Sequence, residues 1–195
     1  MTMQHRTSVS PQHEDLAIGG TVVTSIAGRM LAVLRIATGF VFLWAFLDKT
    51  FGLHYSTPSA KAWIDGGSPT KGFLSSVEVG PLTSTFHSLA GDTWVNWSFM
   101  LGLLGLGIAL IAGVALRVTA VAGAALLAMM WLAEFPLAQH TSSGAPSGST
   151  NPLVDYHLIY AIGLIVLAAT YAGNTWGLGK SWARLPFVSR HRWAL

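Results

Sequence analysis

Residues 34–52 read LRIATGFVFLWAFLDKTFG, a run with an apolar middle and charged ends. Arg35 lies near its start, and Asp48 and Lys49 lie near its end. A helix of about 20 mostly apolar residues is long enough to cross the hydrocarbon core of a bilayer. The stretch therefore predicts a membrane-spanning helix that carries a cation near each of its ends.

The composition of the whole chain agrees with a membrane protein. Of 195 residues, 52% are hydrophobic and only 10% are charged, whereas soluble domains carry about 25% charged residues. The net charge is +3, and the basic residues cluster beside apolar runs. We attribute this basic balance to orientation in a membrane and not to nucleic-acid binding. The chain has no cysteine, which excludes disulfides and cysteine-ligated metals.

Four segments are long and apolar enough to be predicted spans. They are residues 29–47, 97–116, 118–136 and 157–174. Little more than Arg117 separates the second from the third, which predicts a tight hairpin. The predicted fold is an all-α, four-transmembrane-helix bundle with a long, partly structured extracytoplasmic loop between helices 1 and 2, at about residues 48–96. Small residues four apart in the second span predict close helix packing at Gly105, Ala109 and Gly113.

The lysines and arginines outside the spans predict the orientation, because cytoplasmic loops carry an excess of these residues. Seven lie on the side that the two termini share: Arg6, Arg29, Arg117, Lys180, Arg184, Arg190 and Arg192. Three lie on the other side: Lys49, Lys61 and Lys71. We therefore predict a multi-pass protein of the plasma membrane with both termini in the cytoplasm. The expected organisation is a mobile tail over residues 1–28, a membrane domain over 29–175 and a basic, aromatic cytoplasmic tail over 176–195.

Arg35 and Lys49 are fourteen residues apart, so on a helix they share nearly one face and lie about 21 Å apart along the axis. Gly39 falls on the same stripe. Two readings of Arg35 remain open. Its side chain could reach the cytoplasmic headgroups, or it could face the bundle and bind carbonyls or a ligand oxygen through its planar fork.

Ionisable residues from three helices are predicted to converge at the outer face. They are Lys49, Glu134, Asp155 and His157. Carboxylates within spans usually face the protein interior, so we expect Glu134 to pair with Lys49 and to be the acid most sensitive to mutation. The cluster is either a salt-bridged collar that holds the helix ends together or a polar pocket for a ligand head group with apolar walls.

Three stretches resemble a known family. Residues 34–52 resemble the first-helix signature of the DoxX-like membrane proteins, which has an Arg, a Gly four residues later, a Phe, and a Lys fourteen residues after the Arg. Residues 62–74, AWIDGGSPTKGFL, and 151–165, NPLVDYHLIYAIGLI, more narrowly resemble the DoxD subunit of thiosulfate:quinone oxidoreductase. The resemblance covers residues 29–175.

The resemblance implies four transmembrane helices, a plasma-membrane location and quinone-linked redox chemistry. Its signature positions are Arg35, Gly39, Lys49 and the Asp155–His157 pair. No DoxA-like segment is found in the chain, so thiosulfate oxidation would require a partner. Whether the chain is catalytic by itself is left open.

The leading hypothesis is a quinone-interacting membrane subunit of an oxidoreductase, passing electrons from an oxidised sulfur compound such as thiosulfate to quinone. In this hypothesis Lys49 donates to the quinol head group, with Arg35, Gly39 and Asp48 completing the ligand-binding set. Glu134 or His157, with Asp155, is the catalytic proton relay. The alternative is a non-enzymatic scaffold or assembly protein that recruits a redox enzyme.

The expected cofactor is a quinone, with no haem, flavin or metal in this chain. Only His157 falls in or beside a predicted span, and the glycines match no dinucleotide-binding fingerprint. The expected partners are the lipid bilayer, quinone and a DoxA-like or other redox protein, and no nucleic acid is expected.

Overall fold

The structure is a computed structural model and describes residues 24–195, so most of the predicted 1–28 tail lies outside the described residues. The α-helices of this part are α1 (Ser25–Phe51), α2 (Lys71–Ser75), α3 (Thr83–Leu89), α4 (Thr93–Ala112), α5 (Leu116–Glu134), α6 (Tyr156–Ala169), α7 (Gly179–Ala183) and α8 (Pro186–Arg190). Short 3-10 helices cover Ser59–Lys61, Trp63–Asp65, Ala172–Asn174 and Arg192–Ala194. Residues 24–195 contain no β-strand.

Three of these helices, α1, α4 and α5, are long and apolar enough to cross a membrane. The fourth predicted span, residues 157–174, corresponds to α6, which has only 14 residues and covers about 21 Å. It ends early because Tyr171 adopts a positive φ of 50° and the chain continues as a 3-10 helix. Residues 24–195 are therefore all-helical with three candidate membrane-spanning helices, and a fourth span stays a prediction.

Helix α1 has one face towards the bundle and one face away from it. Its buried face carries Ala32, Arg35, Thr38, Gly39 and Phe42. Its opposite face exposes Val33, Leu34, Ile36, Phe40 and Val41. Large apolar side chains on the exposed face of a long helix suit contact with lipid and not with water.

Helices α4 and α5 form the predicted tight hairpin. Gly113 ends α4 in the left-handed conformation, with φ of 73°, and its N–H donates to the carbonyls of Ala109 and Leu110. This is a common way for glycine to terminate a helix. The helix therefore lies about four residues earlier than predicted, over Thr93–Ala112, and Arg117 falls in the first turn of α5.

Glycines allow close approach within the bundle, but only some of them are the predicted ones. A Cβ atom on Gly107 would lie 2.8 Å from Cβ of Leu43, whereas Gly105 has open space around it. Gly39 packs against α4 in the same manner, because its Cβ would lie 2.8 Å from Cβ of Leu110. The predicted stripe was therefore wrong at Gly105, since only the face that includes Gly107 meets α1.

The bundle has two ends, which we name after their basic residues. The Lys49 end holds the last turns of α1 and α5 and the first turns of α4 and α6. The Arg35 end holds the opposite helix ends and the segment 176–195. Which end faces the cytoplasm stays a prediction.

The long loop between α1 and α4 is folded over the Lys49 end. Its helices α2 and α3 pack through a small apolar cluster formed by Leu74, Val77, Phe86 and Ala133. Asn96 joins the loop to α4. Its Oδ1 accepts two hydrogen bonds from Thr70, one from the backbone N–H at 3.1 Å and one from the hydroxyl Oγ1 at 2.7 Å. The loop is thus a structured cap, in agreement with the sequence-based expectation.

Candidate functional site

A cavity of about 360 Å³ lies at the Lys49 end between α1, α4 and α5, beneath the folded loop. Apolar side chains form most of its wall, including Phe73, Phe86, Trp94, Phe99, Met129 and Met130. Its polar lining consists of Lys49, Thr70 and Ser98. An apolar cavity with a few polar groups is the usual form of a small-molecule site. We call it the Lys49 cavity.

Lys49 lies in the last turn of α1 and is half-buried in the wall of this cavity. Among residues 24–195 its ammonium group has no hydrogen bond or ion pair, and the predicted pairing with Glu134 is absent. Placing a charged group beside apolar side chains without a partner costs free energy. Lys49 therefore presents a cation that a ligand oxygen could satisfy.

Asp48 precedes Lys49 but faces the chain that follows α1. It is 1% exposed, and its carboxylate accepts hydrogen bonds from the N–H of Tyr55 at 3.1 Å and from the N–H and Oγ of Ser56 at 3.0 and 2.6 Å. These contacts tie the start of the loop to the helix. The geometry favours a structural role for Asp48 over the predicted ligand-binding role.

Glu134, Asp155 and His157 meet where α5 ends and α6 begins. Nδ1 of His157 lies 2.8 Å from Oδ2 of Asp155 and 3.9 Å from Oε2 of Glu134. The hydroxyl of Tyr156 donates to Oε1 of Glu134 at 2.8 Å. Three of the four groups predicted to converge do so, and Lys49 lies in its own cavity instead.

Asp155 and His157 contact each other although they are only two residues apart. On a regular helix they would point in different directions. Asp155, however, is the N-cap of α6, with extended backbone angles of φ −112° and ψ −174°. From this position its carboxylate accepts a hydrogen bond from the N–H of Leu158 at 3.1 Å and also reaches the imidazole of His157.

Within residues 24–195, the His157 ring has one nitrogen in a hydrogen bond and one without a partner. It is 1% exposed, and because the Asp155 carboxylate can only accept, Nδ1 carries the proton of that hydrogen bond. Nε2 is the one buried side-chain nitrogen or oxygen in the described residues that has no hydrogen-bond partner. A carboxylate that binds an imidazole in this way fixes its orientation and its tautomer, and it leaves Nε2 as the nitrogen with an acceptor lone pair.

The pKa of Asp155 lies below its ordinary value. Burial raises this pKa, but the hydrogen bonds from His157 and from the N–H of Leu158 lower it by more. A carboxyl whose pKa is lowered by folding stabilises the folded state above its unfolded pKa of about 3.9. That stabilisation is lost as the pH falls through the lower, folded-state pKa.

Replacing Asp155 by asparagine is therefore expected to flatten the acid side of the stability profile. The melting temperature of the detergent-solubilised protein should fall less steeply from about pH 5 downward than it does for the wild type. Asp65→Asn changes an exposed acid of the same end of the molecule and should keep the wild-type slope. Identical slopes for wild type and Asp155→Asn would show that the lowered pKa of Asp155 makes no contribution to the pH dependence of stability.

The three clustered residues also have the spacing of metal ligands. One ligand atom from each of Glu134, Asp155 and His157 lies within 4.8 Å of the other two. The Nδ1 atom of His157 is, however, already engaged with Asp155, and Glu134 is engaged with Tyr156. A cation would have to replace the proton on Nδ1. The expectation that this chain carries no metal stays a prediction.

Arg35 is fully buried at the other end of the bundle, with 0% exposure. Its five N–H groups are directed at five backbone carbonyls, those of Leu110, Ile111, Ala172, Thr175 and Trp176. The distances are 2.8 Å to Ile111 and 2.9 Å to Trp176. The Arg35 side chain thus faces the bundle and binds carbonyls. The alternative, that it reaches the membrane headgroups, is wrong.

Glycines let the backbone come close to this guanidinium group. A Cβ atom on Gly113 would lie 2.9 Å from Nη1 of Arg35, and one on Gly177 would lie 2.9 Å from Nη2. The carbonyls of Leu110 and Ile111 belong to the last turn of α4, where helix carbonyls lack helical partners. Because its donors are all used within the chain, Arg35 joins α1, α4 and the segment after α6. Like Gly39, it is placed for packing and not for ligand binding.

Sequence reasoning missed Thr70, Asn96 and Tyr156. Asn96 was placed just outside the second predicted span, and its position at the start of an apolar run was the only signal of a structural role. Thr70 lies in the wall of the Lys49 cavity, and nothing in the local sequence indicates this. The roles of Thr70 and Asn96 depend on contacts between the loop and the bundle, and that of Tyr156 depends on its hydrogen bond from α6 to Glu134 at the end of α5.

Over its described residues the chain is a helical bundle whose long apolar helices are consistent with a lipid bilayer. No family model, curated protein or solved structure matches the chain.

Proposed function

We propose that the protein is a quinone-interacting membrane subunit of an oxidoreductase, as its resemblance to DoxX-like proteins and to DoxD suggests. The observation that carries the proposal is the Lys49 cavity. It combines one unpaired cation with an apolar, aromatic wall beside the predicted membrane-spanning helices. A quinone has the matching chemistry, since it is an apolar molecule with carbonyl oxygens that accept hydrogen bonds.

The size and lining of the cavity support this ligand class. Its volume of about 360 Å³ lies within the common range for ligand pockets, about 300 to 1,000 Å³. The aromatic rings of Phe73, Trp94 and Phe99 offer surfaces for the head-group ring. Met129 and Met130 supply flexible apolar contacts on the α5 side, where an isoprenoid tail would leave.

Lys49 would act on the head group electrostatically. Its ammonium group would donate a hydrogen bond to a quinone oxygen and stabilise the negative charge that develops when the ring accepts electrons. A fixed cation in an apolar site is more effective than the same cation in water. Reduction of a quinone to a quinol takes up two electrons and two protons, so the site also needs a proton source and an electron donor.

The cluster of Glu134, Asp155 and His157 is the proposed proton source. A second cavity, of about 400 Å³, is lined by Glu134, Asp155 and Tyr156 and shares Phe73 and Ala133 with the wall of the Lys49 cavity. Glu134 has a side chain that is 38% exposed, so it can exchange protons with water, while His157 is buried. We propose that this cluster supplies protons to the neighbouring cavity.

The electrons would come from a partner protein, with an oxidised sulfur compound such as thiosulfate as the proposed source. Oxidation of two thiosulfate ions to tetrathionate releases two electrons, which balances the reduction of one quinone. The partner would be DoxA-like or another redox protein at the plasma membrane.

Lys49→Met should remove most of the bound quinone. The loss of one hydrogen bond from a charged donor, about 1.5 to 3 kcal/mol, corresponds to a roughly 10- to 100-fold weaker affinity. The measurement is the absorbance of quinone extracted with protein purified from native membrane. Lys61→Met is the matched control, because Lys61 is exposed in the folded loop at the same end of the bundle and does not line the cavity.

Equal quinone content in the two variants, with both folded, would contradict the proposal. A wild-type protein that carries a stoichiometric partner but no quinone would instead favour the scaffold function.

A further inference from the structure

A third cavity, of about 510 Å³, lies at the Arg35 end between the start of α5, the end of α6 and the α7–α8 segment. Four cationic side chains contribute to its lining: Arg117, Lys180, Arg184 and Arg192. No aspartate or glutamate lines it. We call it the basic cavity.

The acids of the described residues all lie at the opposite end of the bundle. They are Asp48, Asp65, Glu78, Asp92, Glu134 and Asp155, which occupy the folded loop or the helix ends beside it. The cations of the basic cavity therefore have no nearby carboxylate side chain among residues 24–195. The main-chain carboxyl group of Leu195 also lines the cavity, where its oxygen accepts a hydrogen bond from the N–H of Arg117 at 2.7 Å. Four cations outweigh this one group, so their summed potential attracts anions, and a concave, low-dielectric wall strengthens that attraction.

One of the four cations holds the cavity together and three remain available. The guanidinium group of Arg117 donates to the carbonyl of Arg192 at 2.9 Å and to the hydroxyl of Tyr171 at 2.9 Å. The side chains of Lys180, Arg184 and Arg192 are exposed and, within the described part of the chain, form no hydrogen bond or ion pair. Their donors are free for a ligand.

Apolar side chains surround the same segment. Trp176 and Trp193 are each 60% exposed, and Phe187 is 56% exposed. Leu178 and Leu185 are also exposed. Aromatic residues beside cations at the ends of apolar helices are typical of the interface between a bilayer and water. The surface around the cavity is therefore suited to acyl chains, while the cavity itself is suited to an anion.

We propose that the basic cavity binds the phosphate group of an anionic phospholipid, whose acyl chains lie against the exposed tryptophans and Phe187. Arginine matches the phosphate oxygens with its planar fork, and lysine adds a point charge. Basic pockets between helix ends are known sites for anionic lipid head groups. The proposal is independent of the quinone site, which lies at the other end of the bundle.

The test is the retention of lipid by the full chain in detergent. Native mass spectrometry after addition of phosphatidylglycerol should show bound lipid, with at least about fivefold less phosphatidylcholine bound at the same concentration. The double variant Lys180→Gln/Arg184→Gln should bind at least about fivefold less phosphatidylglycerol than the wild type. Both positions are exposed, so its melting temperature without added lipid should equal that of the wild type.

The matched control is Arg29→Gln/Arg190→Gln, which removes the same charge from two exposed positions that do not line the cavity. It should retain phosphatidylglycerol like the wild type. Equal loss in both double variants, or equal binding of the two lipids, would overturn the proposal. If inorganic phosphate alone raised the melting temperature as much as phosphatidylglycerol does, the ligand would be a free phosphate and the lipid assignment would be wrong.

Discussion

Arg35→Lys is expected to lower the melting temperature of the detergent-solubilised protein by about 5 to 15 °C. Arg35 is fully buried and directs five N–H groups at five carbonyls, whereas lysine has three donors on one nitrogen and cannot reproduce the planar fork. Carbonyls left without a partner cost about 1 to 3 kcal/mol each when they stay buried. Because partial rearrangement recovers some of these contacts, we expect the free energy of unfolding to fall by about 2 to 4 kcal/mol in total. In a chain of this length, that loss corresponds to the stated shift in melting temperature.

Arg29→Lys is the matched control, because Arg29 lies near the start of the same helix and is exposed. Its melting temperature should stay within about 1 °C of the wild type, as surface substitutions usually change stability by less than about 0.5 kcal/mol. Arg35→Met, which keeps an apolar stem but has no donors, should be less stable than Arg35→Lys. Similar melting temperatures for Arg35→Lys and Arg29→Lys would show that the carbonyl contacts contribute little.

Asp48→Ala is expected to be the most destabilising replacement of an acid in the described residues. The carboxylate is 1% exposed and accepts three hydrogen bonds from Tyr55 and Ser56. Removing it leaves two backbone N–H groups without their acceptor, at a cost of about 3 kcal/mol. The start of the folded loop would then detach from α1. Thermal unfolding and limited proteolysis of residues 53–60 measure the two effects.

Glu134→Ala should cost only about 1 kcal/mol, since the Glu134 side chain is 38% exposed and loses one hydrogen bond from Tyr156. This reverses the expectation from the sequence, which assumed a buried pair with Lys49. If Glu134→Ala proved less stable than Asp48→Ala, the loop contacts of Asp48 would be minor. Asp65→Ala, at an exposed position, provides the baseline.

The helical class and the main helix positions followed from hydrophobicity along the chain. Long apolar runs with few charges predict membrane helices because an unpaired backbone polar group is costly in hydrocarbon. The same reasoning placed Arg35 and Lys49 on one stripe of α1, and the burial of Arg35, Gly39 and Phe42 agrees with it. The helix ends were less accurate, since a single glycine at position 113 moved the end of α4.

The partners of the charged residues could not be derived in this way. Hydrophobicity and spacing show that a charge needs a partner, but a carbonyl, a carboxylate and a ligand oxygen satisfy this need equally well. The acceptors of Arg35 lie 75 to 141 residues away along the chain, and no local sequence pattern indicates them. Lys49 and Glu134 were paired because of similar depth, yet they line different cavities.

The amino-acid pattern was thus sufficient for the class of protein and for the helix face on which Arg35 lies, because both depend on the transfer of side chains between water and an apolar medium. The inward orientation of Arg35 was decided only by the tertiary structure. The choice of partners arose from packing. The close approach of Gly113 and Gly177 brings carbonyls to Arg35, and the extended backbone of Asp155 turns its carboxylate to His157. The folded loop over Lys49 closes an apolar cavity around its ammonium group. Each of these arrangements depends on the geometry of distant segments, which hydrophobic periodicity does not encode.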